Sequence, residues 1–224
     1  AIAAFYYKLN AVNQEFMAFE KELINAQSIF QTTNKELFSM SDEIARFGLS
    51  YGIEIQNASS GLYQMASAGL TAAESIKLLN HTLLLSMAVQ GDHNTISKLT
   101  TQVIFGFGMK MEDAGLLTDK FAHAINKSLI EYQDLASAVK FAMPFFVATN
   151  QSIDQLLGSI EILTNRALEA GIAGRGLRQA LSEFAEGAED STRTFAKLGV
   201  KVVDAQGNFL QLTEIARNFK TAFG

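Results

Sequence analysis

The 224-residue chain is 48% apolar and 18% charged, carries a net charge of −5, and contains one proline, no tryptophan and no cysteine. That composition excludes a disordered chain, a disulfide scaffold and a thiolate metal site, and it leaves the redox compartment open. Charge is evenly spread, with four basic and seven acidic side chains in residues 1–60 and fourteen and sixteen in the remainder, so no Lys/Arg stripe offers sequence-specific or backbone grip on nucleic acid.

From the first residue a hydrophobic seam runs through Phe5, Leu9, Val12, Phe16, Phe19, Leu23, Ala26, Phe30, Thr33, Leu37, Met40, Ile44 and Phe47. The steps alternate between four and three, and only Thr33 is polar. An average step of 3.5 is the heptad period of helices wound left-handedly around a partner. The seam therefore predicts one long, coiled-coil-like helix over residues 4–47, with Phe5, Leu9, Val12, Phe16, Phe19, Leu23, Phe30, Leu37, Met40, Ile44 and Phe47 forming an oligomer interface. Its phenylalanines are bulky for two strands and suit three or more. The alternative is a long helix docked on its own chain, with Tyr6, Ile24 and Ile29 broadening the apolar stripe.

Gly48 and Gly52 are expected to break this helix, dividing the chain into an oligomerising segment, 1–56, and a helical core domain, 57–224. Asn57 to Ser60 supply capping oxygens for a short helix through Leu62, Met65 and Ala66, which Gly69 ends in a left-handed turn. Thr71-Ala-Ala-Glu74 has capping-box spacing and opens a helix to about Val89. Asp92 or Asn94 caps the next one, through Ile96, Leu99 and Val103, and Met111 to Asn126 is another. A further helix starts near Glu131, and Pro144, having no N–H to donate, is placed at a new start. Ser152-Ile-Asp-Gln155 is a second capping box.

Gly171, Gly174 and Gly176 then read as a tight connection between two helices. Beyond Gly199 the period shortens to two. Val200 to Asp204, a turn at Ala205 to Asn208 containing Gly207, and Phe209 to Leu212 predict a β-hairpin over 200–212, with Thr213 capping a last helix. The fold class is thus all-α, a long N-terminal helix followed by a bundle of short helices, with one small hairpin.

Signals for catalysis are weak. His81, His93 and His123 lie far apart and show no metal-ligand spacing. Gly171 to Arg178 lacks the Lys-Ser/Thr of a nucleotide loop, and Glu186, Glu189 and Asp190 sit in a polar surface stretch. No cofactor, metal or catalytic residue is expected, and the chain reads as non-enzymatic. No run reaches the roughly 20 apolar residues of a membrane helix. The chain opens on Ala1 without a leader pattern, as an internal piece of a longer protein would.

Four segments occur in a recognisable order: Leu62-Tyr-Gln-Met-Ala-Ser-Ala-Gly69-Leu, Ala136-Ser-Ala-Val-Lys-Phe with Pro144, Ala170-Gly-Ile-Ala-Gly174-Arg-Gly-Leu-Arg, and Lys197-Leu-Gly199-Val with Asp204-Ala-Gln-Gly207-Asn. Together they resemble the core region of tail tape-measure proteins of long-tailed bacteriophages. Gly174-Arg-Gly176 departs from the small-residue-Gly-Thr triplet common in that family.

The resemblance implies a structural segment of a much longer helical protein in the tail lumen or tail tip, assembled in the host cytoplasm. Its length sets that of the tail, and its release helps DNA cross the host envelope. It further implies a trimer or hexamer meeting tail tube proteins, tail-tip or baseplate hub proteins and tail assembly chaperones, and the host membrane after ejection. A membrane-active pore or channel protein is the alternative class.

Overall fold

The computed structural model describes residues 2–30, 34–52, 55–189 and 194–224, with side chains excepted at 2–13, 15, 16, 34, 37, 38, 55–60, 188, 189, 194 and 196. The chain forms two compact units, residues 1–102 with 110–118, and residues 103–109 with 119–224. Two of the three boundaries fall inside helices, at 102/103 and 118/119, and the third lies between helices at 109/110. Residues 1–56 do not stand apart as a segment of their own; they belong to the first unit.

The first unit opens with α1 (Ile2–Phe30) and α2 (Asn34–Tyr51), and the part of the expected 4–47 helix at 31–33 lies outside the described residues. Both pack on α3 (Ile55–Ser67). Phe19, Leu23 and Ala26 on α1 and Met40 and Ile44 on α2 are each 6% exposed or less within the single chain. Phe30 and Phe47 are half-buried, Phe47 resting on Tyr51 with ring centroids 4.5 Å apart. The side chains of Phe5, Leu9, Val12, Phe16 and Leu37 lie outside the described residues, as does Thr33. Ile24 and Ile29 stay exposed and do not widen the buried stripe. Gly48 continues α2, buried, and the helix stops only at Gly52, where φ is +67°.

Leu62, Met65 and Ala66 bury the inner face of α3, and Gly69, at φ +89°, turns the chain. Helix α4 (Ala72–Val89) then begins at a closed capping box: Glu74 N–H donates to the Thr71 hydroxyl, and the Glu74 carboxylate accepts from Thr71 N–H at 2.9 Å. That bonding holds the Glu74 carboxyl below its usual value, chiefly through the Thr71 hydroxyl. The next helix, α5 (His93–Gly106), is capped by Asp92, which accepts from the Thr95 N–H at 2.8 Å and from its hydroxyl at 2.7 Å. The hydroxyl is the larger cause of a lowered Asp92 pKa.

After a 3₁₀ turn at Met111–Asp113, α6 (Ala114–Lys127) leads into the second unit. There α7 (Tyr132–Ala148), α8 (Ile153–Thr164) and α9 (Ala170–Glu189) form the core. Phe121 of α6 meets Tyr132 edge-on at 5.9 Å, and Lys120 bridges to Asp154 at 2.6 Å. Ser152 caps α8 with its box closed by Gln155.

Pro144 starts no new helix; it lies inside α7. Its ring faces solvent, where the carbonyl left without an N–H partner can be hydrated, while Ala142 and Phe146 on the opposite face are fully buried. Packing on that face holds the helix together across the missing bond.

The expected β-hairpin is absent: no strand forms among the described residues. The chain runs from α10 (Thr194–Lys197) to α11 (Leu212–Phe223) through a loop with one antiparallel bridge, Val203 opposite Phe209. Gly199 (φ +74°) and Gly207 (φ +84°) supply its left-handed turns. Asp204 accepts from Gln206 N–H and Asn208 N–H at 2.9 and 2.8 Å, and the hydrogen bonds from Asn208 hold its carboxyl below the usual value.

Around the bridge Asp204 N–H donates to the Asn208 carbonyl at 2.8 Å and Leu210 N–H to the Val202 carbonyl at 3.0 Å, while groups farther out are engaged by other elements. Gln151, 3% exposed, donates from Nε2 to the carbonyls of Leu210 and Thr149 at 2.9 and 3.1 Å and accepts the Leu212 N–H at 2.7 Å. Asn218 donates to the Lys201 carbonyl at 2.8 Å. Helix α11 starts at Leu212, with Gln211 rather than Thr213 at its N-cap position and no side-chain cap bond, and so takes the last residue of the expected return strand. Val200, Val202 and Ile215 form a small core with Phe184, Phe195, Phe209 and Phe219 around it.

The Gln151 clamp carries a prediction. Gln151→Ala leaves the half-buried Leu210 carbonyl and Leu212 N–H without this partner, which costs about 1 kcal/mol or more. Amide exchange across 200–212 is expected to accelerate while α7 and α9 stay protected. Equal acceleration throughout would mean that the clamp holds the whole unit and not the loop.

Candidate functional site

Two of the sequence segments that carry the resemblance, 136–141 and 170–178, come face to face. Gly171 lies against Ser137, Gly174 against Ala138, Arg175 over Phe141 and Arg178 over Phe145. Both series rise together, so α7 and α9 run parallel, with α8 as the return.

At the crossing, a Cβ on Gly174 would stand 2.5 Å from the Ala138 carbonyl oxygen and 2.7 Å from its Cα. Glycine is required there by the approach of two backbones, not by a turn. The reading of Gly171, Gly174 and Gly176 as a helix connection is therefore corrected, since all three lie within α9. Gly171 and Gly174 are buried, whereas Gly176 is exposed with nothing within 4 Å of its absent Cβ. The spacing 171–174 resembles a connection because glycines that admit a neighbouring helix and glycines that end a helix look alike in one dimension.

With the backbones this close, the arginines reach the α7 rings. The Arg175 guanidinium carbon sits 5.1 Å from the Phe141 centroid, and that of Arg178 sits 5.4 Å from Phe145. Both distances fall within cation–π range. Sequence reasoning compared Gly171 to Arg178 with a nucleotide loop and missed Phe141 and Phe145, five and nine residues beyond Ala136.

In the first unit the polar side chains also pack against one another. His93, 6% exposed, places Nε2 3.1 Å from the Thr82 hydroxyl and 3.0 Å from the Ser97 hydroxyl, beneath Gly61 of α3. The Thr82 hydroxyl donates onward to the Leu79 carbonyl at 3.1 Å. This is a satisfied, buried knot joining α4 and α5. His81 meets Gly115, and His123 is exposed on α6.

Among the described residues no group of His, Asp and Glu could hold a metal ion. Glu186 is exposed, and the side chains of Glu189 and Asp190 lie outside the described residues. No helix among the described residues is long and apolar enough to cross a membrane.

What the geometry offers is a close crossing of α7 and α9 with two exposed arginines stacked on phenylalanine rings. The sequence profile of the phage-related minor tail protein family matches residues 41–224, from α2 to the end of α11. The chain belongs to that family.

Among individual relatives, the tape measure protein of Pneumococcus phage Dp-1 is 28% identical over 204 residues, covering 91% of this chain and 18% of the relative. The probable tape measure protein of Escherichia phage P2 is 24% identical over 115 residues, covering 48% of this chain and 14% of the relative. The chain thus spans less than a fifth of the length of these relatives. No solved structure matches it. The resemblance read from the four segments points to the same proteins.

Proposed function

We propose that this chain is one segment of a tape measure that sets tail length from within the tail lumen or tail tip, and whose release helps DNA pass the host envelope. The observation that carries the reading is its 28% identity to a tape measure protein over 91% of its own length. The physical fit is a helical chain, because a ruler gains length by helical rise, about 1.5 Å per residue.

Its helices fold back on one another, α8 returning between α7 and α9, so the segment adds less axial length than a straight rod. That favours a folded station on the ruler, or a place at the tip. Copies, three or six, would meet one another and the tube and hub proteins through surfaces other than Phe19, Leu23, Ala26, Met40 and Ile44, which are buried within one chain. Assembly chaperones in the host cytoplasm would hold such surfaces before the tube forms.

The test is an in-frame deletion of this segment from the parent phage gene, with tail lengths measured by electron microscopy. Tails are expected to shorten by clearly less than about 340 Å, the span of 224 residues as one straight helix. Infectious particles with unchanged tail length would remove the length-setting role. Shortening by the full amount would refute the folded station.

A further inference from the structure

The arginines of α9 stack on the phenylalanines of α7 through cation–π contacts and form an exposed ridge. Arg175 and Arg178 are exposed, and among the described residues neither forms an ion pair. Glu169, ahead of the helix, faces Gly171 and stops short of closing one with Arg175. Two cations are thus held one helical turn apart on neutral rings in a chain whose net charge is −5. A guanidinium stacked on a ring keeps its in-plane N–H donors available for a carboxylate or phosphate.

Beside them lies apolar surface, Phe141 at 37% exposure and Ile172 at 46%. Gly176, on the same helix, leaves open space around its absent Cβ. We propose that this ridge docks an acidic amphipathic helix of a protein partner, glutamates on Arg175 and Arg178 and apolar side chains on Phe141 and Ile172.

Charge complementarity calls for an anionic partner, and the spacing selects a helix. Carboxylates three or four residues apart on a helix lie about 5–6 Å from one another, which matches arginines three residues apart on α9. The apolar flank selects protein over nucleic acid, since a phosphate backbone offers Phe141 and Ile172 nothing to bury against. An anionic lipid surface fits poorly, because the same helix continues into the exposed Glu183 and Glu186.

The experiment is fluorescence anisotropy of a labelled helical peptide, with leucines at i and i+4 and glutamates one turn apart, titrated with the full chain. We expect saturable binding that Arg175→Glu with Arg178→Glu weakens at least tenfold, with an unchanged thermal melt. Arg175→Gln with Arg178→Gln should show an intermediate loss, which serves if the double reversal perturbs folding. The proposal is overturned by absence of binding or by indifference to both variants. It is equally overturned if a scrambled peptide of the same composition, a 20-base-pair DNA duplex or phosphatidylserine vesicles bind as tightly.

Discussion

Gly174→Leu is expected to unfold or open the second unit, lowering its stability by about 3 kcal/mol or more. Overpacking a well-filled site ordinarily costs about 1–3 kcal/mol, because neighbouring side chains rotate away. Here the first atoms met are backbone: the Ala138 carbonyl oxygen at 2.5 Å, its Cα at 2.7 Å and its carbonyl carbon at 2.9 Å from the new Cβ. These atoms cannot move without displacing α7, on which Ala138, Val139 and Ala142 are fully buried.

Two glycines on one helix provide their own control. Gly176→Ala, where nothing lies within 4 Å, should be neutral or stabilising by up to about 1 kcal/mol, since alanine is the better helix former. Thermal denaturation of both variants checks this. Equal destabilisation by the two would mean that α9 tolerates no side chain on either face, and the close crossing would lose its special place.

Leu23→Asp is expected to unfold the first unit in a single chain. Leu23 is 4% exposed, between Phe19 at 3% and Ala26 fully buried, on the face of α1 that meets α3. The change removes a buried leucine and leaves a carboxylate with no partner, a loss of roughly 4 kcal/mol or more. Circular dichroism should show lost helix at temperatures where the second unit still holds its signal. Were the seam instead an interface between copies, the variant would keep its helix content and lose mass in sedimentation equilibrium. These outcomes separate the two readings of one periodic pattern.

Why the sequence left that pattern open is a matter of length. A 3.5-residue repeat and the 3.6-residue helix diverge by only about 20° per heptad. The described buried sets, Phe19, Leu23 and Ala26 on α1 and Met40 and Ile44 on α2, cover too few turns for the divergence to accumulate. Over such a stretch, a helix docked on α3 and a helix wound on its copy write the same letters.

Local bonding, by contrast, was legible. Thr71 with Glu74, Ser152 with Gln155, and Asp92 ahead of α5 make the caps that their spacing announces, because donor and acceptor lie within four residues and need no distant partner. Helix ends after Val89 and near Lys127 followed from similarly short-range signals. So did Gly69 in a left-handed turn, where only the absent Cβ matters.

By itself, then, the sequence determined an all-α chain, its capped helix starts and, through four ordered segments, its kinship with tail proteins. Tertiary structure alone decided that Gly171, Gly174 and Gly176 lie inside a helix, that Pro144 is tolerated in α7, and that 200–212 is a clamped loop rather than a ribbon. It also brought Arg175 and Arg178 onto Phe141 and Phe145. For Gly174 and the loop the deciding atom comes from another helix or from a residue dozens of positions away, the Ala138 backbone and the Gln151 amide, and for Pro144 it is the packing that buries Ala142 and Phe146 on the opposite face of α7. A short-range reading weighs a residue against its neighbours in the chain, whereas these positions are settled by what packing sets against them in space.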